Sequence, residues 1–396
     1  MPSQGSLHPA AAGGGGITAV YGEMLMKRKI NQIKTFLLRR KGLHLWLAAD
    51  LILLAGFYLC RGQRVWMNAL TEHVTGPFRR ALGDLCYRTE ISVMEVISVL
   101  AVVAGAAYLL WSIAAVIRAG GHRLDRAYGA LLGAACAIVM VYDIFWLLWG
   151  VNFWADSFQD KSGIRAQPVA REELTAVTAY FARQLSLAAD RVPRDEYGLF
   201  DVPREEILEK SDAVYEGAEA LFPFLEFADK GVKPMAFSRL MSEIDFTGFY
   251  CPYTGESNVN VDSPACLLPS TAAHELAHQR GVASEQECNF LAVLASTTSG
   301  DAAYEYSGWL MGYIHLGNAL YAADPDAYWA IRDTLPETVL TDLQHNNAYW
   351  AQFRDSTVQK VSNKVYDGLL KGYGEERGIQ SYGTVVDMLV VYYRDV

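Results

Sequence analysis

Two histidines four positions apart, with a glutamate directly after the first, stand at His274-Glu275-Leu276-Ala277-His278. On a helix, positions i and i+4 share a face, so both imidazoles can point at one cation. The offset Glu275 can then reach a water beside that cation as a general base. The local sequence favours a helix. Ser270 or Thr271 can cap its start, Ala272 and Ala273 favour helix, Arg280 suits the last turn and Gly281 can end it. A surface helix carrying two unrelated histidines is the plain alternative.

Two histidines leave a catalytic zinc short of one protein ligand. A third histidine at the spacing HExxHxxGxxH is absent, because Ser284 occupies that position. The acidic residues Glu285 and Glu287 are the candidates, at the start of a second helix expected from Ser284 through Leu294. A tight turn at Gly281 would fold that helix back antiparallel, bringing its first turn beside His278. Ser284 and Glu287 form an S-x-x-E capping box, which gives Glu287 a purely structural reading. Glu285 and Asn289 share a face, and Asn289 could orient a ligating histidine from behind. Glu285 is the favoured ligand and Glu287 the alternative. Simple complementation of the helix dipole would also account for acidic residues in a first turn.

The chemistry that follows is hydrolysis of a peptide bond by a zinc-activated water. Glu275 takes the water's proton and passes it to the leaving amine. Another donor should face the oxyanion. Tyr313, His315 and Tyr382 are candidates, although His315, in GWLMGYIHLGNAL, reads equally as a packed or surface histidine. The strand expected at 257–261, with Asn258, could bind an extended substrate along its edge. An ordinary internal strand pair is the competing reading, and Glu256 reads as a turn residue.

The elements that must position these residues fall into two parts. Residues 170–189, 203–222, 335–372 and 380–394 read as amphipathic helices, and 246–261 reads as a small β-hairpin or edge strand. Ahead of them, 42–60, 91–117 and 128–150 are apolar runs suited to spanning a bilayer, which takes ~20 residues. Glu95 lies near the start of the second run, and Asp50 and Asp143 lie within the first and third. Those two carboxylates should face other helices or a cavity. The fold class expected is therefore mainly α: three N-terminal transmembrane helices, then an α-rich domain with a small β-hairpin or sheet. Residues 1–41 form a disordered, basic N-terminus (1–16 being Gly/Ala/Pro/Ser-rich), 42–150 the anchor and 151–396 the catalytic domain.

Charge follows the same division. The chain has 34 Lys+Arg and 44 Asp+Glu, a net charge of −10 that argues against a nucleic-acid binder. Residues 1–150 hold 15 basic and 8 acidic side chains, leaving 19 basic and 36 acidic for the rest. The basic N-terminus and the loop at 118–126 lie on one side of three spans. By the positive-inside rule that side is cytoplasmic and the catalytic domain extracytoplasmic. The loop at 61–90, on the other side, resists this with five arginines. Six scattered cysteines form no CxxC pair. Cys251 and Cys266 could pair in an oxidising space or remain free thiols.

These motifs together resemble a bacterial family of membrane-bound proteins, domain of unknown function 3810, read as zinc peptidases. The matching pieces are Trp149-Gly150-Val151-Asn152-Phe153, residues 252–260 (PYTGESNVN), 268–290, Tyr366-Asp367 with Leu370-Lys371, and Ser381-Tyr382-Gly383. The likeness covers roughly residues 40–396. It implies three N-terminal spans and a zincin-like domain, with zinc on His274 and His278, Glu275 as base, and the third ligand within Glu285-Gln286-Glu287-Cys288-Asn289. Cys288 stands where the family usually has alanine, which puts a thiol near the metal. A remoter likeness to membrane zincins, whose third ligand is the first Glu of an ExxxD or ExxxN helix, also implies Glu285.

The leading expectation is thus a multi-pass protein of the cell membrane, partnered by the lipid bilayer. It would hydrolyse an unidentified protein or peptide substrate with Zn2+ as cofactor, and would bind no nucleic acid. Two alternatives stand beside it. One is a membrane assembly or sensor protein with a non-catalytic zinc site. The other is a zinc hydrolase of a non-peptide amide such as a cell-wall bond.

Overall fold

Long apolar runs dictate the first elements. The computed structural model describes residues 14–228, 230–354, 359–360, 363–364 and 382–396. A helix α1 (Gly14–Leu38) opens it, so residues 14–38 of the N-terminus expected to be disordered over 1–41 are helical, while 1–13 lie outside the described residues. Among the described residues, three helices are long and apolar enough to cross a membrane: α2 (Lys41–Cys60), α5 (Val93–Arg118) and α6 (Arg123–Leu148), the last preceded by a short turn at Gly120–His122. Their apolar side chains point outward, as at Ile52, Leu59, Leu100, Val102, Leu109 and Ile138. A helix apolar on its outer surface is stable only in an apolar solvent.

The chain divides into two units, but not at residue 150. One comprises 1–56 and 105–143, the other 57–104 and 144–396. The segment between the first two spans, expected to be a loop, instead folds as helices α3 (Arg64–Leu70) and α4 (Gly76–Cys86) of the second unit. A π-helical turn, Thr71–Thr75, joins them. Within the first unit, Arg40 pairs with Asp125 at 3.3 Å and His44 Nε2 bonds the Tyr128 hydroxyl at 2.6 Å. Asp143 is buried there, with Asp50 nearby.

The second unit is built around helices whose apolar residues recur at three- and four-residue steps. In α8 (Arg171–Ala189) these are Leu174, Val177, Phe181, Leu185 and Ala188, all buried. Short helices α7 (Phe158–Ser162), α9 (Arg204–Glu209), α10 (Glu216–Leu221) and α11 (Ser238–Glu243) lead into the centre, so the expected 203–222 helix is broken in two. The centre is α12 (Leu268–Gln279), α13 (Glu285–Thr298) and α14 (Ala302–Ala323), which pack on one another, with α14 also packed on α8. α15 (Pro325–Arg332), α16 (Glu337–Ala351) and a C-terminal helix (Tyr382–Tyr393) close the core. The expected 335–372 helix is observed as α16, and 365–381 lie outside the described residues.

The hairpin forms, with one more strand than expected. β2 (Gly248–Cys251) and β3 (Glu256–Val259) pair antiparallel, with Gly248 opposite Val259 and Cys251 opposite Glu256. A two-residue strand β1 (Lys233–Pro234) pairs parallel to β3, giving the order β1-β3-β2. β3 is therefore the middle strand, with β1 and β2 occupying its two edges, and residues 257–259 cannot accept an added strand. The edge open to one is β2.

Two buried carboxylates tie α5 to this sheet. Glu256, fully buried rather than a mere turn residue, accepts the Val93 and Met94 N–H groups at the start of α5 and pairs with Lys233 at 2.7 Å. In return Glu95 of α5 accepts the Ala236 and Phe237 N–H groups ahead of α11. Each carboxylate satisfies backbone donors that a helix start leaves unpaired.

Candidate metal centre

The helix α12 starts at Leu268, with Pro269 in its first turn, earlier than Ser270 or Thr271 would have it. Ser270 instead lies inside the helix, its hydroxyl donating to the Leu267 carbonyl. The end is as expected. Gly281 adopts φ +92°, and Gly281 N–H bonds the His278 carbonyl while Val282 N–H reaches back to Ala277. This is a Schellman stop, which requires the left-handed conformation glycine adopts without strain. Ala272, Ala273, Leu276 and Ala277 bury the inner face. Tyr215 donates to the Ala273 carbonyl and Ser257 to that of Glu275, which pins the helix under the sheet.

His274 and His278 project from the same face, their rings 4.9 Å apart. Behind each ring, Nδ1 meets an acceptor. His274 Nδ1 bonds Asn289 Oδ1 at 2.9 Å, and His278 Nδ1 bonds the Val282 carbonyl at 2.8 Å. A carbonyl oxygen only accepts, so the Nδ1 atoms carry the protons and each Nε2 presents a lone pair. Both Nε2 atoms face Glu285, at 3.2 Å from His274 and 3.6 Å from His278. Three lone-pair bearers thus converge, and what suits the space between them is a cation, either a proton or a metal ion.

The titration of the pair expresses the same demand. Burial disfavours charge on both partners. Cys288 and Glu285 nonetheless raise His278 well above the usual imidazole range, and His278 and His274 hold Glu285 well below the usual carboxylate range. Nitrogen–nitrogen–oxygen donors with acceptors behind both rings are the donor set that zinc takes in hydrolytic sites.

Glu287 goes elsewhere. Its carboxylate accepts the Phe158 and Gln159 N–H groups, at 2.9 and 3.1 Å, and the Gln159 side chain. It caps α7, whose next N–H, that of Asp160, bonds Ser157 Oγ. The expected capping box does not form, for Ser284 at the start of α13 makes no side-chain cap. Cys288 does approach: its sulfur lies 3.3 Å from His278 Nδ1, and His274, His278 and Cys288 offer donor atoms within 4.8 Å of one another. That sulfur, however, meets the back of the His278 ring and itself donates to the Val282 carbonyl, on the side away from Glu285. Burial pushes the thiol up to about 12. A buried neutral thiol behind the ring is a poorer ligand than a carboxylate before both Nε2 atoms.

Glu275 is buried beside this group. Gly248 of β2 makes room for it, since a Cβ there would stand 2.3 Å from Glu275 Oε1. The Tyr250 N–H is directed to its carboxylate, while Oε2 has no hydrogen-bond partner among the described residues. Burial pushes the Glu275 carboxyl up to about 7, against the lowering influence of the two histidines. Tyr250 itself packs on Trp149 at 5.1 Å, and Trp149 meets the His278 ring edge-on at 5.7 Å. Arg79 of α4 completes the stack. It is buried over Trp149, donates to the Tyr250 hydroxyl at 3.4 Å and leaves Nε without a partner.

The other expected residues are distributed as follows. His315 of α14 faces His274 and is pushed down to about 4, by burial first and by His274 second, so it is neutral at pH 7. Tyr313, on the opposite side of that helix, is directed to Tyr328 and Arg332. Asn258 bonds the carbonyls of Phe249 and Glu256 within the sheet. Tyr382 opens the C-terminal helix, and its side chain lies outside the described residues. Cys251 and Cys266 are separate thiols. Gly248, Tyr250, Trp149 and Arg79 were not legible as site residues. They reach Glu275 and His278 from distant segments, and only the Trp149 segment carried any signal, as part of the family resemblance.

A family model described as a protein of unknown function, DUF3810, matches residues 72–390. The chain belongs to the DUF3810 family. The matched range takes in α4, all three strands and the whole of the histidine–carboxylate cluster, so Arg79 and Tyr250 lie within the family's own span. No curated protein and no solved structure matches the chain.

Proposed function

We propose that this DUF3810 protein is a membrane-anchored zinc metallopeptidase, with zinc on His274, His278 and Glu285 and with Glu275 as general base. The observation that carries the reading is the convergence of two Nε2 lone pairs and the Glu285 carboxylate, with both Nδ1 atoms committed to acceptors. When bound, zinc supplies a Lewis acid that polarises a carbonyl and makes water more acidic. The chain's own residues do the rest. Glu275, held by the Tyr250 N–H, keeps one oxygen without a partner to take a proton from water and return it to the leaving amine. A purely structural metal site would have no use for a buried carboxylate with a spare oxygen, which disfavours an assembly or sensor role. In this reading His315, neutral beside His274, donates to developing negative charge.

The open edge of β2 supports a peptide substrate. Asn260 N–H bonds the Thr247 carbonyl, so the alternate residues Gly248 and Tyr250 turn their peptide groups away from β3, beside Glu275, with the Tyr250 N–H directed to the Glu275 carboxylate. An extended chain added there would pass the candidate metal centre. The basic residues of α1 and of 118–126 support an extracytoplasmic placement of the catalytic domain.

The test uses the purified full chain in detergent. Bound zinc is measured, and hydrolysis of a mixed peptide library is followed by mass spectrometry. The parent should hold about one zinc. Glu275→Gln should keep it and lose cleavage, and His274→Ala should lose the metal. Equal cleavage by parent and Glu275→Gln would sink the peptidase reading. Unchanged zinc in His274→Ala would sink the site itself. Cleavage of a cell-wall amide but of no peptide would move the activity to the non-peptide class.

A further inference from the structure

The helical segment Arg64–Cys86 is inside out for a protein in water. Its turns run α3, the π turn Thr71–Thr75, then α4, with Gly76 accommodating the π turn, since a Cβ there would lie 2.6 Å from the Thr71 carbonyl. The inward face carries Met67, Thr75, Gly76, Arg79, Gly83 and Cys86, all buried and mostly small or polar. The outward face is the more apolar one. Val65, Trp66, Val74, Phe78 and Leu85 are each more than half exposed. From Trp66 to Val74, Phe78 and Leu85 the steps keep to one side of a helix. A face of that composition exposed to water is unfavourable, and large exposed apolar patches mark contact surfaces.

The chain connections identify what covers it. The segment leaves the first candidate span at Cys60 and enters the second at Val93. Four residue steps from Cys60 to Arg64 reach at most ~14 Å, so the helix must begin close to the edge of the hydrocarbon region. Tryptophan among aliphatic residues, with Arg64, Arg80 and Arg88 nearby, is the composition that lies in a lipid headgroup layer. We infer that Arg64–Cys86 is an interfacial helix, its outer face immersed in the lipid surface between the first two spans. Its inner face is then the support of the candidate metal centre. Arg79 donates to the Tyr250 hydroxyl, and Tyr87, just past the helix end, accepts the Ser257 N–H. The inference rests on the three-span reading of the chain and is independent of the metal.

Spin labels on single cysteines test it, in the full chain with Cys60→Ser, reconstituted in phosphatidylethanolamine–phosphatidylglycerol vesicles. The five other native cysteines are buried, and the Cys60→Ser parent gives the background labelling. Trp66→Cys, Val74→Cys, Phe78→Cys and Leu85→Cys report the outer face; Glu72→Cys and Arg80→Cys report exposed polar positions. Leu109→Cys, on the exposed surface of α5, reports a span. Four reporters on one face keep the answer available if any one substitution prevents folding. The expected result is that collision shifts from a water-soluble nickel relaxant to oxygen at the four apolar positions, as at Leu109, and not at Glu72 or Arg80. Nickel-accessible labels at the apolar positions with an oxygen-accessible Leu109 label would overturn the interfacial helix. A nickel-accessible Leu109 label would overturn the span reading and the inference with it.

Discussion

At the scale of single residues, the site divides two glutamates that stand two positions apart on one helix. Side chains at that separation diverge by about 200° around the axis, so one packing arrangement cannot offer both to the same ion. Glu285 faces the two Nε2 atoms, while Glu287 satisfies two buried N–H groups of α7. Glu285→Gln is therefore expected to lower zinc affinity steeply. Glu287→Gln should keep the zinc but destabilise the second unit by about 1–3 kcal/mol, because an amide NH2 then opposes a backbone donor. Metal analysis together with denaturant unfolding separates the two, and the reverse pattern would refute the ligand assignment. Glu275 gives a pH prediction. Its carboxyl moves from an ordinary 4.5 to about 7 on folding, so the metal-free fold prefers it protonated. The preference costs nothing below pH 4.5 and grows as pH rises, reaching ~3 kcal/mol above pH 7 at 1.36 kcal/mol per unit. Metal-free Glu275→Gln should match the parent at pH 4.5 and unfold at higher temperature than the parent at pH 8. A gap that is constant with pH would show that Glu275 ionises freely. The HExxH spacing was legible because i and i+4 adjacency is a local property of helices. The choice between Glu285 and Glu287 was not, because it depends on α7, more than a hundred residues earlier in the chain.

At the scale of elements, one turn both stops α12 and orients His278, a proposed metal ligand. The Schellman bonds of Gly281 and Val282 end the helix, and the carbonyl of Val282 then accepts from His278 Nδ1. An alanine at 281 would pay the left-handed backbone penalty, ~1–2 kcal/mol, and its Cβ would stand 2.9 Å from the Arg79 guanidinium. Gly281→Ala should therefore both destabilise the fold and weaken zinc binding, by ~10–100-fold if the Val282 carbonyl is displaced. Competition with a chromogenic chelator measures this, and an unchanged affinity would show that the turn and the ligand are independent. Gly281 was readable as a helix stop from its place after Arg280. The hairpin was readable too, from β-branched and aromatic residues flanking a turn. Its place in the sheet was not. The third strand is only Lys233–Pro234, too short for any periodic signal and containing a residue that strands usually exclude. That two-residue pairing makes β3 the middle strand and leaves β2 as the open edge beside Glu275.

At the scale of the whole molecule, the five arginines at 61–90 looked like a topology signal of the wrong sign. The structure accounts for four of them as partners within the second unit. Arg61 stacks on Tyr58 and Trp154, Arg64 pairs with Asp160 and Asp156, Arg79 lies over Trp149, and Arg80 lies toward Phe227. Their charges serve folding, and a count of loop arginines cannot tell a folded helix from a free loop. Because 57–104 and 144–396 form one unit, the segment between the first two spans and the C-terminal domain must occupy the same side of the membrane. On the proposed three-span reading, a single span separates each from the turn at Gly120–His122, which then lies on the other side. Reporter fusions give the test: alkaline phosphatase, active only outside the cytoplasm, inserted after Glu72, after Gly121 or at Val396. On the proposed orientation, with the basic residues around 118–126 on the cytoplasmic side, the first and last should be active and the middle one silent. Activity only at Gly121 would invert the orientation and keep the three spans. Opposite results at Glu72 and Val396 would break the three-span count, and with it the supply of Arg79 and Tyr87 to a site on the same side of the membrane.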